Sequence, residues 1–190
     1  MITGSEMAVV DENTAALGVS QKQLMESSGN AVAETVRAVA DPGASITIIA
    51  GRGNNGGDAF VAARFLEEFD VRVFLLGSAD AIGTDIAREN WEALELADCE
   101  RQEITDSTAL DRGESDIIVD AMLGTGISGR LREPAATAAK IINDGDATVV
   151  SVDVPSGMDG ETGDRPPGTV EPDHVVTFHE AKPGLDDLDA

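Results

Sequence analysis

The sequence predicts an α/β fold, a doubly wound sheet of parallel strands with helices on both faces. Three observations predict it. Short apolar runs bounded by turn residues recur from Ser45 onward, helical stretches fit between them, and the runs are nearly continuous in apolar character, as strands buried on both faces are. Alternating β and α elements then imply right-handed crossovers.

Roughly Gly4 to Leu17 reads as a first helix. Ser20 followed by Gln23 is a capping-box pattern, and Leu24, Ala31, Val32, Val36 and Val39 recur at helical spacing until Asp41-Pro42-Gly43 stops the element. Strands are expected at Ser45 to Ala50, Val71 to Leu76, Asp116 to Val119, Thr148 to Val152 and His174 to Phe178. Helices are expected at Asp58 to Phe69, Asp80 to Leu96 and Glu133 to Asn143, the last with Pro134 near its first turn. In sheets built this way ligands bind outside the carboxyl ends of the strands, where the connectivity reverses, so the chemistry is sought at those ends.

A length of 190 residues with 42% hydrophobic content suffices for one sizeable core and is short for two, so residues 1–190 are read as a single domain. Thirteen basic against 36 acidic residues give a net charge of −23, a field that repels phosphate backbones. The basic residues are scattered along the chain, which argues against a nucleic-acid partner and requires any anionic ligand to find another anchor. A strongly acidic, lysine-poor composition also suits a halophilic cytosol, where salt screens carboxylate repulsion. Cys99 is the only cysteine and reads as a small buried apolar residue, so a reducing cytoplasm is the simplest setting. No apolar run approaches the ~20 residues of a membrane span.

The most informative segment is Gly51-Arg52-Gly53-Asn54-Asn55-Gly56-Gly57-Asp58, placed after a strand and before a helix. Its glycines permit close backbone approach, and free N–H groups at a helix start can hold a phosphate without lysine. Asp58 also has a plain reading as the helix N-cap. Gly51, Gly53 and Gly56 meet the spacing of the dinucleotide fingerprint of redox enzymes. The ribose-binding acid expected after the second strand is missing, however: Val71 to Leu76 runs into Gly77, Ser78 and Ala79, and Asp80 arrives late. An NAD-dependent oxidoreductase is the less favoured enzyme for that reason.

Two further strand ends carry polar groups. Val119-Asp120-Ala121-Met122-Leu123-Gly124-Thr125-Gly126 leads into a glycine-flanked loop reaching Arg130, and Ser151-Val152-Asp153-Val154-Pro155-Ser156-Gly157 repeats the arrangement. Asn55, Asp120, Asp153 and Ser156 are thereby delivered to one edge, and buried like charges there need a cation or a proton to coexist. Amide, carboxylate and hydroxyl oxygens suit hard cations. His174 and His179 flank a strand without ligand spacing and read as structural, and Ser156 lacks the elbow and the base of a nucleophile.

Together these segments resemble the YjeF N-terminal domain family, whose enzymatic members are NAD(P)H-hydrate epimerases. The resemblance begins at Met7, Asp11 and Leu24-Met25-Glu26-Ser27-Ser28-Gly29, and continues through Gly53 to Asp58, Asp120-Ala121 and Asp153 to Gly157. It ends at Thr177-Phe178 and Lys182-Pro183-Gly184. It implies a three-layer α/β/α Rossmann-like sandwich with a mostly parallel central sheet and N-terminal helices. It implies that Asn54, Asn55, Gly56, Gly57 and Asp58, with the loop Gly124, Thr125, Gly126, Ile127, Ser128, Gly129 and Arg130, bind hydrated NADH or NADPH, with Asp153 beside the nicotinamide. Asn55, Asp120 and Ser156 match positions that hold a potassium ion, although the residue types alone do not choose potassium over magnesium.

The implied reaction interconverts the R and S forms of the hydrate, with Asp153 as general acid to the departing hydroxyl and base toward returning water. The same resemblance names an NAD(P)H-hydrate dehydratase, fused or separate, as the functional partner, and admits a homodimer. The rival class is a non-catalytic binding module on the same fold, a role that favours altered motifs. Here Asn55, Asp120, Asp153 and Ser156 all stand at the matching places.

Overall fold

Six strands hydrogen-bond side by side in the order β3-β2-β1-β4-β5-β6, every neighbouring pair parallel, in a computed structural model that describes residues 1–97, 99–111, 113–126 and 129–186. The strands are β1 (Ser45–Ala50), β2 (Asp70–Leu76), β3 (Glu100–Ile104), β4 (Ile117–Ala121), β5 (Thr148–Val152) and β6 (His174–Val176). The helices are α1 (Gly4–Ala16), α2 (Gln21–Val39), α3 (Asn54–Phe65), α4 (Asp85–Leu96) and α5 (Ala135–Asn143). Continuous apolar runs became strands buried on both faces: every residue of β4 is buried, as is all of β1 after Ser45.

The two faces of the sheet hold two separate apolar clusters. Val32 and Val36 of α2, Phe60 of α3 and Trp91 and Leu94 of α4 pack with Ile46, Ile48 and Val119 on one face. Ala138, Ala139 and Ile142 of α5 pack with Ile49, Ile118 and Phe74 on the other. The result is a three-layer α/β/α sandwich. Phe60 and Trp91 meet with ring centroids 5.2 Å apart, which locks α3 against α4. The predicted capping box forms: the Gln23 side chain accepts from Ser20 N at 2.8 Å and Gln23 N donates to Ser20 Oγ at 3.3 Å.

Four sequence expectations are corrected. β3 was not expected, because Glu100-Arg101-Gln102-Glu103-Ile104 is an edge strand with only Ile104 buried and so lacks an apolar run. α3 starts at Asn54 rather than Asp58 and ends at Phe65 rather than Phe69, because tertiary contacts hold Gly56 and Gly57 in helical turns that their low propensity disfavours. Asp58 consequently lies inside the helix and is not its N-cap, which is Gly53. α4 starts at Asp85, capped by the Thr84 hydroxyl, after a 3₁₀ turn at Ala79–Ala81.

The chain leaves β1 for β2 on one side, and β4 returns on the other side of β1. The carboxyl ends of β1 and β4 therefore border the point where the connectivity reverses. In such sheets that divergence opens a crevice.

Candidate functional site

The floor of the site is built by backbone contact. A side chain at Gly51 would place its Cβ 1.8 Å from Met122 O, and one at Gly56 would come 2.1 Å from Gly51 O. Only glycine lets the end of β1, the first turn of α3 and the end of β4 approach this closely. Gly51 N donates to Ala121 O at 2.9 Å, extending the β1–β4 ladder by one bond. The turn is tied sideways as well: Thr84 Oγ1 donates to Asn54 Oδ1 at 2.8 Å, and Gly83 N to Arg52 O at 2.8 Å. No side chain caps α3 at Gly53, so the first N–H groups of the helix point outward without a protein partner of that kind.

Above this floor lies a cleft of about 1340 Å³, large enough for a dinucleotide-sized ligand. Asn54, Asn55, Asp58, Gly124, Thr125, Gly126, Gly129, Arg130 and Asp153 line it. Gly56 and Gly57 are not among its lining residues: both are buried in α3, Gly56 against Gly51 and Gly57 against Met25. Ile127 and Ser128 lie outside the described residues. α1 and α2 form a wall with Gly4, Met7, Leu24 and Ser28.

Beneath the cleft, Asp120 is fully buried at the end of β4 and accepts four hydrogen bonds. Ser156 Oγ donates at 2.6 Å, Ser156 N at 2.9 Å, Ser151 Oγ at 2.9 Å and Met122 N at 3.3 Å. Burial pushes this carboxyl above its ordinary range, and the Ser156 and Ser151 donors pull it partly back. Ser156 Oγ also accepts from Leu123 N at 3.0 Å, so one serine joins the buried carboxylate to the loop that forms the cleft. Asn55 faces the same loop, since a Cβ at Gly124 would lie 3.5 Å from Asn55 Cγ. The Asn55 amide nitrogen is buried without a hydrogen-bond partner. The partnerless Asn55 nitrogen is an N–H donor and calls for an acceptor, so the atoms here that could serve a hard cation are oxygens alone: the Asp120 carboxylate, the Ser156 hydroxyl and the Asn55 carbonyl. Among the described residues no three His, Cys, Asp or Glu side chains cluster as metal ligands.

Asp153 follows β5 directly and takes a left-handed backbone conformation, φ 68°, which turns its side chain toward the cleft. Its N–H donates to Val176 O at 2.7 Å, fixing the bend against β6. Aspartate is one of the few non-glycine residues that adopt this conformation readily. Oδ2 faces Thr125 N at 3.4 Å, and Oδ1 meets the ammonium of Lys182 at 2.8 Å.

Basic residues that the sequence shows scattered meet at the cleft: Lys182, only 2% exposed, sits in its wall, paired with Asp153. Arg52, Arg130 and Arg132 line the same cleft although they come from two separate loops. Asp58, Glu133 and Asp153 line it too, so basic and acidic side chains are nearly balanced there in a chain that is otherwise strongly acidic. His179, read as structural, also lines the cleft with φ 66°, whereas His174 is exposed at the start of β6. The signal for Lys182 was its place in the Lys182-Pro183-Gly184 motif, not any spacing from Asp153.

Fold and site define a class: an α/β protein with a ligand cleft at the switch point of a parallel sheet, where a carboxylate stands beside an uncapped helix start. Within that class, residues 21–184 match the family described as YjeF-related protein N-terminus, and the chain belongs to that family. It is 45% identical over 185 residues to the Bifunctional NAD(P)H-hydrate repair enzyme Nnr of Archaeoglobus fulgidus, a match covering 97% of this chain and 38% of that enzyme. It is 40% identical over 187 residues to the NAD(P)H-hydrate epimerase of Cenarchaeum symbiosum, covering 97% of this chain and 87% of that one. The crystal structure of yeast ynu0 superposes with a TM-score of 0.82 at 26% identity, covering 97% of this chain and 82% of the yeast chain. No helix among the described residues is long and apolar enough to cross a membrane.

Proposed function

We propose that this chain is an NAD(P)H-hydrate epimerase, an isomerase that interconverts the R and S forms of hydrated NADH and NADPH. The observation that carries the reading is the position of Asp153: it lines the same cleft as Asn54 and Asn55 at the uncapped start of α3, and its Oδ2 accepts from Thr125 N at 3.4 Å. Helix N–H groups and the arginines Arg52, Arg130 and Arg132 suit the diphosphate of a nucleotide, and the carboxylate suits proton transfer at the ring.

In the hydrate, the carbon bearing the hydroxyl neighbours the ring nitrogen. Asp153 reacts as the carboxylic acid: nitrogen lone-pair donation expels the hydroxyl as Oδ2 hands it that proton, so water leaves, a planar iminium remains and the carboxylate formed pairs with Lys182. Water adds to the opposite face, and Oδ2 recovers the proton. A positioned acid–base group of this kind contributes about 10² to 10⁴ in rate.

Asn55, Asp120 and Ser156 fit a potassium ion, whose charge would balance the buried carboxylate and steady the Gly124 loop. In the cell this reading places the chain in a salt-rich cytoplasm and pairs it with an NAD(P)H-hydrate dehydratase, the activity that would consume one epimer.

Incubating the purified protein with the separate R and S hydrates tests the reading. Equilibration faster than in buffer supports catalysis, whereas tight binding without it points to a binding module. Potassium has its own measurement. At a concentration a hundred times its dissociation constant the ion should add about 2.7 kcal/mol of stability. The unfolding midpoint is accordingly expected to rise in potassium chloride relative to tetramethylammonium chloride at equal ionic strength. Asp120→Asn should lose that difference.

A further inference from the structure

Resting on that reaction, we infer that Lys182 is a positioning residue that assigns different tasks to the two oxygens of Asp153. An ammonium group has three N–H donors. All three of Lys182 are accounted for: Thr177 Oγ1 at 3.0 Å, Phe178 O at 3.1 Å and Asp153 Oδ1 at 2.8 Å. The side chain is 2% exposed, so water competes little for it. With no donor left over, Lys182 does not anchor a substrate phosphate. It commits Oδ1, whereas Oδ2 takes only the long 3.4 Å bond from Thr125 N and keeps a lone pair with which to exchange a proton with a ligand in the cleft.

The anchors of the lysine reinforce this role. Thr177 and Phe178 follow β6, the strand whose Val176 carbonyl receives the Asp153 N–H at 2.7 Å. The backbone of Asp153 and its Oδ1 are therefore held by the same neighbouring segment. With the backbone in a left-handed conformation and one oxygen fixed, the carboxylate has little freedom to turn away from the cleft. Misplacing a catalytic group by about 1 Å can cost 10²-fold in rate.

The test uses the full chain and compares kcat and KM for hydrate epimerisation with unfolding midpoints. Lys182→Met, which keeps the apolar stem and removes the charge, is expected to lower kcat about 10²-fold with KM within about threefold of wild type. Thr177→Val removes only one acceptor of the ammonium and leaves the ion pair intact. It is expected to fold normally and lower kcat about tenfold, which keeps the inference testable should Lys182→Met fail to fold. If Lys182 acts only through Asp153, the double variant Lys182→Met with Asp153→Asn should be no slower than Asp153→Asn alone.

A folded Lys182→Met with wild-type kcat overturns the inference, as do a raised KM with unchanged kcat or losses that multiply in the double variant. Those outcomes leave the epimerase reading standing. A wild-type protein without epimerase activity removes both.

Discussion

Replacing Asp153 with Asn is expected to lower the epimerisation rate about 10² to 10⁴-fold, the full contribution of a positioned acid–base group, while hydrate affinity stays within about threefold. Asparagine suits the experiment because it keeps the size of the side chain and is, with aspartate, one of the few non-glycine residues that readily adopt φ near 68°. Its amide oxygen can still accept from Lys182, which retains Thr177 Oγ1 and Phe178 O, so the buried ammonium is not stranded. What is lost is the ability of the Oδ2 position to carry and return a proton. Single-turnover kinetics on each separate epimer, alongside calorimetric titration with the same ligand, would measure the two quantities independently. An Asp153→Asn protein that epimerises at the wild-type rate would refute the assignment, and one that no longer binds would make Asp153 an anchor rather than an acid.

The second large effect is on stability. Gly51→Ala and Gly56→Ala each insert a methyl group at 1.8 Å and 2.1 Å from a backbone carbonyl oxygen, far inside contact distance. A clash with a flexible side-chain tip could be relieved by rotation. Here the obstacles are Met122 O, at the end of β4, and Gly51 O, at the end of β1, so relief requires prising apart the central strands or lifting α3. The expected cost is about 3 kcal/mol or more, at the upper end of overpacking penalties. Gly56→Ala gains up to about 1 kcal/mol back from helix propensity and should be the milder of the two.

Gly53→Ala is the control. Its added Cβ meets nothing within 4 Å and its φ of −103° suits any residue, so its stability should stay within about 1 kcal/mol of wild type. Urea unfolding of the four proteins at one pH and salt concentration measures the set. A Gly51→Ala protein as stable as Gly53→Ala would show that the switch point is not closed by backbone contact.

The sequence carried most of the fold because the physics there is local. Runs such as Ile46 to Ala50 and Val149 to Val152 are apolar but for Thr47 and Ser151, and that pattern is compatible with a covered parallel strand. Ser20 and Gln23 mark a helix start in four residues, and the box they form is the one expected. β3 escaped because an edge strand need bury only one residue, Ile104. The start of α3 escaped because Asn54-Asn55-Gly56-Gly57 is poor helix sequence, and the helix is imposed there by packing of Gly56 on Gly51 and Gly57 beside Met25.

The site divides along the same line. By itself the sequence determined which chemistry is available: oxygen-bearing side chains at Asn55, Asp120 and Ser156, a carboxylate at Asp153, glycines where backbones meet, and a family resemblance through nearly the whole chain. Only the tertiary structure decided which of these share a pocket and which lie beneath it, that Lys182 comes within 2.8 Å of Asp153 across 29 positions of sequence, and that arginines from distant loops line one cleft. The reason is physical. Helical and strand periodicities act over a few residues and can be read in order, whereas an ion pair or a charged cleft depends on distances that exist only once the sheet has set the order of its strands.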